Sequence, residues 1–89
     1  MRIEPSFKLR DIAGETIVVN QGKVDKDMTK IISLNASAKY LFETLQGEDF
    51  LLEEVAKALV DKYGIYIEKA NNDAFVWVDA LRKCSIITD

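Results

Sequence analysis

The chain has 89 residues, 48% hydrophobic and 30% charged, which fits one small globular domain over residues 1–89 and leaves no room for a second. Twelve basic against fifteen acidic side chains give a net charge of -3, the wrong sign for a protein whose main partner is a polyanion, so no nucleic-acid partner is expected. No apolar run approaches the roughly 20 residues that cross a bilayer, Met1-Arg2-Ile3-Glu4-Pro5 holds no apolar signal core, and one cysteine does not make a disulfide-stapled secreted domain; a cytoplasmic protein with no membrane partner is expected.

The first third of the chain reads as strands separated by turn chemistry. Phe7-Lys8-Leu9-Arg10 alternates apolar and basic, Ala13-Gly14 breaks it, and Glu15-Thr16-Ile17-Val18-Val19 is short and β-branched, which together predict a β-hairpin. Residues 20–29 hold Gly22 and a crowd of charges with only Val24 and Met28 apolar, the composition of a loop. Lys30-Ile31-Ile32-Ser33 then reads as a third strand, ending at Leu34.

The remainder is helical. Asn35 suits an N-cap, and Leu34, Ala38, Leu41 and Leu45 recur at helical spacing until Gly47, predicting a first helix over about 36–46. Asn35-Ala36-Ser37 also has the spacing of a glycosylation sequon, which in a cytoplasmic chain reads as the cap alone. Leu52, Val55, Ala56, Leu59 and Tyr63 form a second stripe, with Glu53 and Glu54 early, Lys62 late and Gly64 as its stop; the helix is expected over about 51–63. Ile67, Ala70, Ala74, Trp77, Val78 and Leu81 mark a third helix over about 67–84, followed by Ile86-Ile87 as a short strand or a packed tail. The order β-β-β-α-α-α is an α+β domain in which three helices cover one face of a small antiparallel sheet.

Most catalytic chemistry lacks its residues. Without histidine the commonest general base and neutral metal ligand are missing, and with one cysteine there is no zinc set. Cys84 sits in a helical apolar context that reads as packing, and the four glycines stand apart at element ends, forming no phosphate cradle. No catalytic residue, metal or cofactor is therefore expected, and an adaptor fits the chain better than an enzyme.

Two features exceed what folding alone asks for. The third strand follows a charged loop and precedes a helix, so one edge is a candidate for remaining open, where an extended peptide could add as a further strand; the plainer reading makes Ile31 or Ile32 ordinary core. On the third helix, Phe75 and Val76 stand about 100° and 200° round from Ala74, outside the core stripe. Phe75 shares its flank with Asn71, Asp79 and Arg82, an aromatic anchor among polar neighbours, unless it is buried between elements. Val76 reads as a dimer contact or an isolated exposed apolar residue.

The run Phe7-x-Leu9-Arg10-Asp11, Gly14-Glu15, Ile31-Ile32-Ser33-Leu34-Asn35-x-Ser37-Ala38, Leu45-x-Gly47, Leu59-Val60-Asp61-x-Tyr63, Ala70-x-x-Asp73 and Trp77-Val78-x-x-Leu81 resembles the PqqD-like family, that of coenzyme PQQ synthesis protein D, over nearly the whole chain. The resemblance implies a small winged-helix-like domain, also called a RiPP recognition element, that binds the leader segment of a ribosomally made precursor peptide without catalysing a reaction. It further implies that the leader adds beside the third strand, at Lys30, Ile31, Ile32 and Ser33, and lies against the third helix within residues 73–82. Joined to the flank chosen above, the expected helix contacts are Phe75, Val78, Asp79 and Arg82. The partners implied are the precursor peptide and a modifying enzyme such as a radical SAM protein, a leader protease or a cyclase, in PQQ or other RiPP biosynthesis. Leu51 stands where relatives often place a capping Thr, and Phe75 where the family pattern is variable.

The rival reading is a winged-helix DNA-binding regulator, since the fold class is shared. Against it, Glu68, Asp73 and Asp79 cancel Lys69, Arg82 and Lys83 on the would-be recognition helix, where phosphate contacts need a surplus of positive charge. A small enzyme or a purely structural subunit is the other rival, and no constellation of residues supports it. A homodimer is open to the chain through Val76 and the free sheet edge.

Overall fold

The computed structural model describes residues 1–20 and 32–89. The expected loop beyond Asn20, and Lys30 and Ile31 of the expected third strand, lie outside the described residues. The elements run β1 (Arg2–Ile3), β2 (Phe7–Ile12), β3 (Glu15–Asn20), β4 (Ile32–Leu34), α1 (Ala36–Leu45), α2 (Leu52–Tyr63), α3 (Ile67–Lys83) and β5 (Ile87–Thr88). The α+β architecture is the expected one, a three-stranded antiparallel sheet in the order β2-β3-β4 followed by three helices. A second, two-stranded sheet pairs β1 with β5.

The hairpin is longer than the alternation suggested. β2 and β3 stay in register from Phe7↔Asn20 to Ile12↔Glu15. Only Ala13 and Gly14 remain in the turn, both at positive φ (53° and 83°), the signature of a tight type I′ turn whose twist matches the strands. In such a hairpin the flanking pair Ile12↔Glu15 exchanges both main-chain bonds, and the pairing alternates from there. Glu15, Ile17 and Val19 therefore direct their N–H and C=O groups to β2, and Thr16 and Val18 direct theirs to β4. With β4 registered as Thr16↔Leu34, Ile17↔Ser33 and Val18↔Ile32, Ile32 and Leu34 bond β3 while Ser33 turns its main-chain groups the other way.

Side-chain alternation splits the three-stranded sheet into two faces. Phe7, Leu9, Val18, Ile32 and Leu34 face the helices and join or pack against the core. Lys8, Arg10 and Ser33 are exposed on the other face. Beneath the sheet, Leu41, Phe42, Val55, Leu59, Ala74 and Leu81 are buried at the meeting of the helices. Trp77 lies among them, 6% exposed, its ring 6.1 Å from that of Phe50. Its buried indole Nε1 has no hydrogen-bond partner among the described residues.

Helix ends follow local chemistry. The Asn35 side chain accepts from the Ala38 N–H at 2.9 Å and caps α1. At α2 the Glu54 carboxylate accepts from the Leu51 N–H at 2.9 Å, and the Leu51 side chain has no oxygen to return a cap, so the Glu54 N–H donates to the Leu51 C=O instead, also at 2.9 Å. Gly64, at φ 64°, closes α2 in the left-handed conformation. At the end of α3 the Ser85 N–H donates to Arg82 C=O (3.0 Å) and the Ile86 N–H to Leu81 C=O (2.9 Å). That is a Schellman motif with Ser85, at φ 60°, in the place glycine usually takes.

The motif reverses the chain into β5, which begins at Ile87, so of the expected pair Ile87 takes the strand alternative and Ile86 leads into it. Arg2↔Thr88 and Ile3↔Ile87 pair, the Glu4 N–H donates to Ile86 C=O at 2.8 Å, and the Phe50 N–H donates to Met1 C=O at 2.8 Å. Ile3, Ile86 and Ile87 are buried by this closure. It anchors the C-terminal end of α3 and thereby fixes that helix relative to β4.

Candidate functional site

β4 is an edge strand, bonded to β3 on one side and, among the described residues, to nothing on the other. Its edge opens onto a groove of about 570 Å³. Ile32, Ser33 and Leu34 form one wall, Ser37, Ala38 and Leu41 of α1 with Leu59 of α2 line it further, and α3 supplies Lys69, Asp73, Val76, Trp77, Ala80 and Leu81. The groove follows from the sequence locally: β4 runs straight into α1 through the Asn35 cap, so strand and helix diverge from one point, and α3 packs alongside with small or short side chains, Ala80 and Val76, on the facing stripe.

The chemistry of this space is a mostly apolar lining with polar margins. Asn35, Ser37 and Ser33 contribute amide and hydroxyl groups, and Lys69 and Asp73 form an i,i+4 ion pair at 3.2 Å. Both members of that pair are substantially exposed, so it positions charge at the margin and adds only a few tenths of a kcal/mol, roughly, to stability. Above this lining lie the N–H and C=O of Ser33, aimed outward at the open edge. An extended chain laid there would bond main chain to main chain, with alternate side chains directed into the groove on the face of Ile32 and Leu34.

Of the residues singled out from sequence, Ile32 and Ser33 line the groove, Ile32 half-buried and Ser33 exposed. The four residues chosen on α3 stand elsewhere on that helix. At 100° per residue Phe75, Val78, Asp79 and Arg82 fall between about 120° and 180° round from Asp73. Val78 is 7% exposed and belongs to the core; Phe75 is 58% exposed on the far flank. Asp79 pairs with Lys83 at 3.0 Å, and Arg82 with Asp89 at 3.0 Å while its Nη2 lies 3.8 Å from Met1 Sδ. Val76, 57% exposed and outside the core stripe by sequence, lies in the groove instead. The helix has two exposed flanks: the expected contacts Phe75, Asp79 and Arg82 lie on the one that carries the aromatic, and the other faces β4. The detectable signal for the latter was the spacing Lys69, Asp73, Val76, Ala80, a polar-to-small stripe beside the apolar one.

All three basic side chains of α3 are engaged: Lys69 with Asp73, Lys83 with Asp79 and Arg82 with Asp89. No surplus of free cations on this helix supports phosphate contacts. Among the described residues no group of three His, Cys, Asp or Glu is placed to hold a metal ion, and no helix is long and apolar enough to cross a membrane.

The comparisons with known proteins agree with this architecture. No curated protein matches the chain in sequence. A solved structure described as TbiB1 in complex with the TbiA(β) leader peptide superposes with a TM-score of 0.70 over all of both chains at 17% sequence identity, a likeness of fold. The family of coenzyme PQQ synthesis protein D matches residues 15–87, from the start of β3 to the start of β5. That span includes β4, all three helices and the groove between them, and the chain belongs to the PqqD family.

Proposed function

We propose that this protein is a RiPP recognition element that binds the leader segment of a precursor peptide as an added strand along β4 and presents it to a modifying enzyme. The observation that carries the reading is the β4 edge over the groove against α3: among the described residues the main-chain groups of Ser33 have no strand partner beside a lined space of about 570 Å³. Main-chain pairing supplies affinity that tolerates sequence, and the lining supplies selectivity through alternate side chains. Membership of the PqqD family and the fold shared with a protein solved together with a leader peptide support it.

Such a protein acts without chemistry of its own. Holding the leader turns the meeting of core peptide and enzyme into a nearly intramolecular event. A dissociation constant between about nanomolar and micromolar suffices, or roughly -12 to -8 kcal/mol. The enzyme served is a radical SAM protein, a leader protease or a cyclase. Within the groove the reading assigns Ile32 and Ser33 to the leader's strand and the Lys69, Asp73, Val76 and Ala80 stripe of α3 to its side chains, in preference to the flank of Phe75, Asp79 and Arg82.

The test is a titration of labelled protein with a synthetic leader of the precursor peptide encoded beside its gene, followed by backbone amide shifts. Saturable binding with shifts on residues 32–34 and on the stripe from Lys69 to Ala80 is expected. Saturable binding with shifts confined to Phe75, Asp79 and Arg82 would place the peptide on the opposite flank, and absence of binding would refute the reading.

A further inference from the structure

The three-stranded sheet has a second edge. In the order β2-β3-β4, β2 pairs β3 on one side and, among the described residues, no strand on the other. By the alternation that starts at Ile12↔Glu15, Lys8, Arg10 and Ile12 bond β3, while Leu9 and Asp11 direct their N–H and C=O groups outward, where no main-chain bond meets them among the described residues. The Phe7 N–H is already given to Glu4 C=O at 3.1 Å, so the open donors of this edge are those of Leu9 and Asp11.

The edge carries a sign. Lys8 and Arg10 project from the sheet face turned away from the helices, both exposed, and among the described residues neither makes an ion pair or a hydrogen bond. In a chain of net charge -3 whose α3 cations are all paired, two neighbouring cations without a carboxylate stand out as unspent charge. Glu15, the carboxylate of that face among the described residues, sits at the turn opposite Ile12. Asp11 belongs to the other face, where it pairs with Lys39 at 3.7 Å and accepts from the Thr16 hydroxyl at 2.8 Å. The same cations exclude a second copy of the chain. In the longest antiparallel registers of β2 with its own copy, outward-directed residues opposed, Lys8 falls opposite Arg10 or Arg10 opposite Arg10, and like charges so placed are destabilising. A carboxylate at either position reverses the sign of the interaction.

We infer that the β2 edge docks an acidic extended segment of the modifying enzyme, added as a strand with its carboxylates opposite Lys8 and Arg10. This rests on the leader-binding reading. The leader takes the β4 edge, which lies across β3 at two strand spacings, about 10 Å, from β2. Leader and enzyme thus occupy opposite edges of one sheet without competing, as an adaptor that holds both at once requires. Main-chain bonds at Leu9 and Asp11 supply the pairing, and the two cations select an acidic strand and speed its approach.

The experiment titrates the wild-type protein, the double variant Lys8→Glu/Arg10→Glu, Asp11→Ala and Asp11→Pro calorimetrically, first with the purified modifying enzyme encoded beside the gene and then, separately, with the synthetic leader. The double reversal is expected to weaken the enzyme about tenfold, the wild-type affinity for the enzyme to fall as salt is raised, and Asp11→Pro to bind it about tenfold more weakly than Asp11→Ala, which loses the same side-chain contacts and keeps the N–H. The leader is expected to bind all four proteins equally. Thermal unfolding of the double reversal is expected to match that of the wild type, since both side chains are exposed and unpaired. Wild-type affinity of the double reversal for the enzyme, equal affinity of Asp11→Pro and Asp11→Ala, or no binding of the enzyme by the wild type each overturns the inference, and leader binding by the same proteins leaves the β4 reading standing. Failure of the wild type to bind the leader overturns both.

Discussion

Ser33→Pro separates leader pairing from folding in a single substitution. By the alternation that starts at the Ile12↔Glu15 pair, the Ser33 N–H points to the open edge and makes no bond to β3. Proline there removes a donor that bonds no strand among the described residues, and an edge strand is where a sheet tolerates it. In the complex the cost is different. The leader carbonyl that would accept from Ser33 is left without a partner, a penalty of about 1–3 kcal/mol, and the Dissociation constant should rise about 5- to 150-fold. The assay is calorimetric titration with the synthetic leader, with urea unfolding as control; stability should fall by less than about 1 kcal/mol. Methylating successive main-chain nitrogens of the leader tests the same ladder from the peptide's side, because one of them must donate to Ser33 C=O. Unchanged affinity for Ser33→Pro, together with indifference to every methylation, would refute strand addition at β4.

Other substitutions probe the scaffold and the groove's boundaries. Ile32→Pro removes a donor aimed at β3 and leaves the buried Val18 without its partner; a loss of about 1–3 kcal/mol in urea unfolding is expected, and retention of wild-type stability would overturn the register. Trp77→Ala should cost about 3–5 kcal/mol, whereas Trp77→Phe should cost less than about 2, because losing the unpartnered indole N–H offsets part of the lost packing. Since Trp77 is the chain's single tryptophan, circular dichroism has to follow that unfolding; equal losses for the two variants would contradict the account of the N–H. Ser85→Gly relieves the left-handed residue of the Schellman motif and should raise stability by about 0.5–1 kcal/mol, seen as a melting temperature about 4 °C higher. Arg82→Glu should leave leader affinity within about twofold, because Arg82 stands far round α3 from the groove and pairs with Asp89; a tenfold change would return that flank to the site.

How much of this was legible in the chain depends on the range of the interactions involved. The hairpin, the Asn35 cap and the Gly64 stop are local devices, and the two hairpin strands and the three helices lie within a residue or two of the predicted ones. The core face of α3 was equally legible: Ala70, Ala74, Trp77, Val78 and Leu81 are all buried. β1 was not, because two residues carry no periodicity and Arg2–Ile3 gains its pairing from Ile87–Thr88 at the far end of the chain. The flank of α3 that meets β4 was illegible for a related reason. Periodicity separates inside from outside on a helix, but which outside flank meets a distant strand edge is settled by packing, here by α2 and the β1–β5 closure. Phe75 drew attention as an aromatic, while Val76 and Ala80, smaller and less conspicuous, line the groove.

Hydrogen exchange at the Ser33 amide tests the central claim most directly, because that N–H faces away from β3 and has no ladder partner among the described residues. Exchange is expected to be fast in the free protein and strongly slowed in the saturated leader complex, with contacts from Ser33 Hα to a leader residue across the new strand pair. Bound leader with the Ser33 amide still exchanging as in the free protein would contradict strand addition at β4.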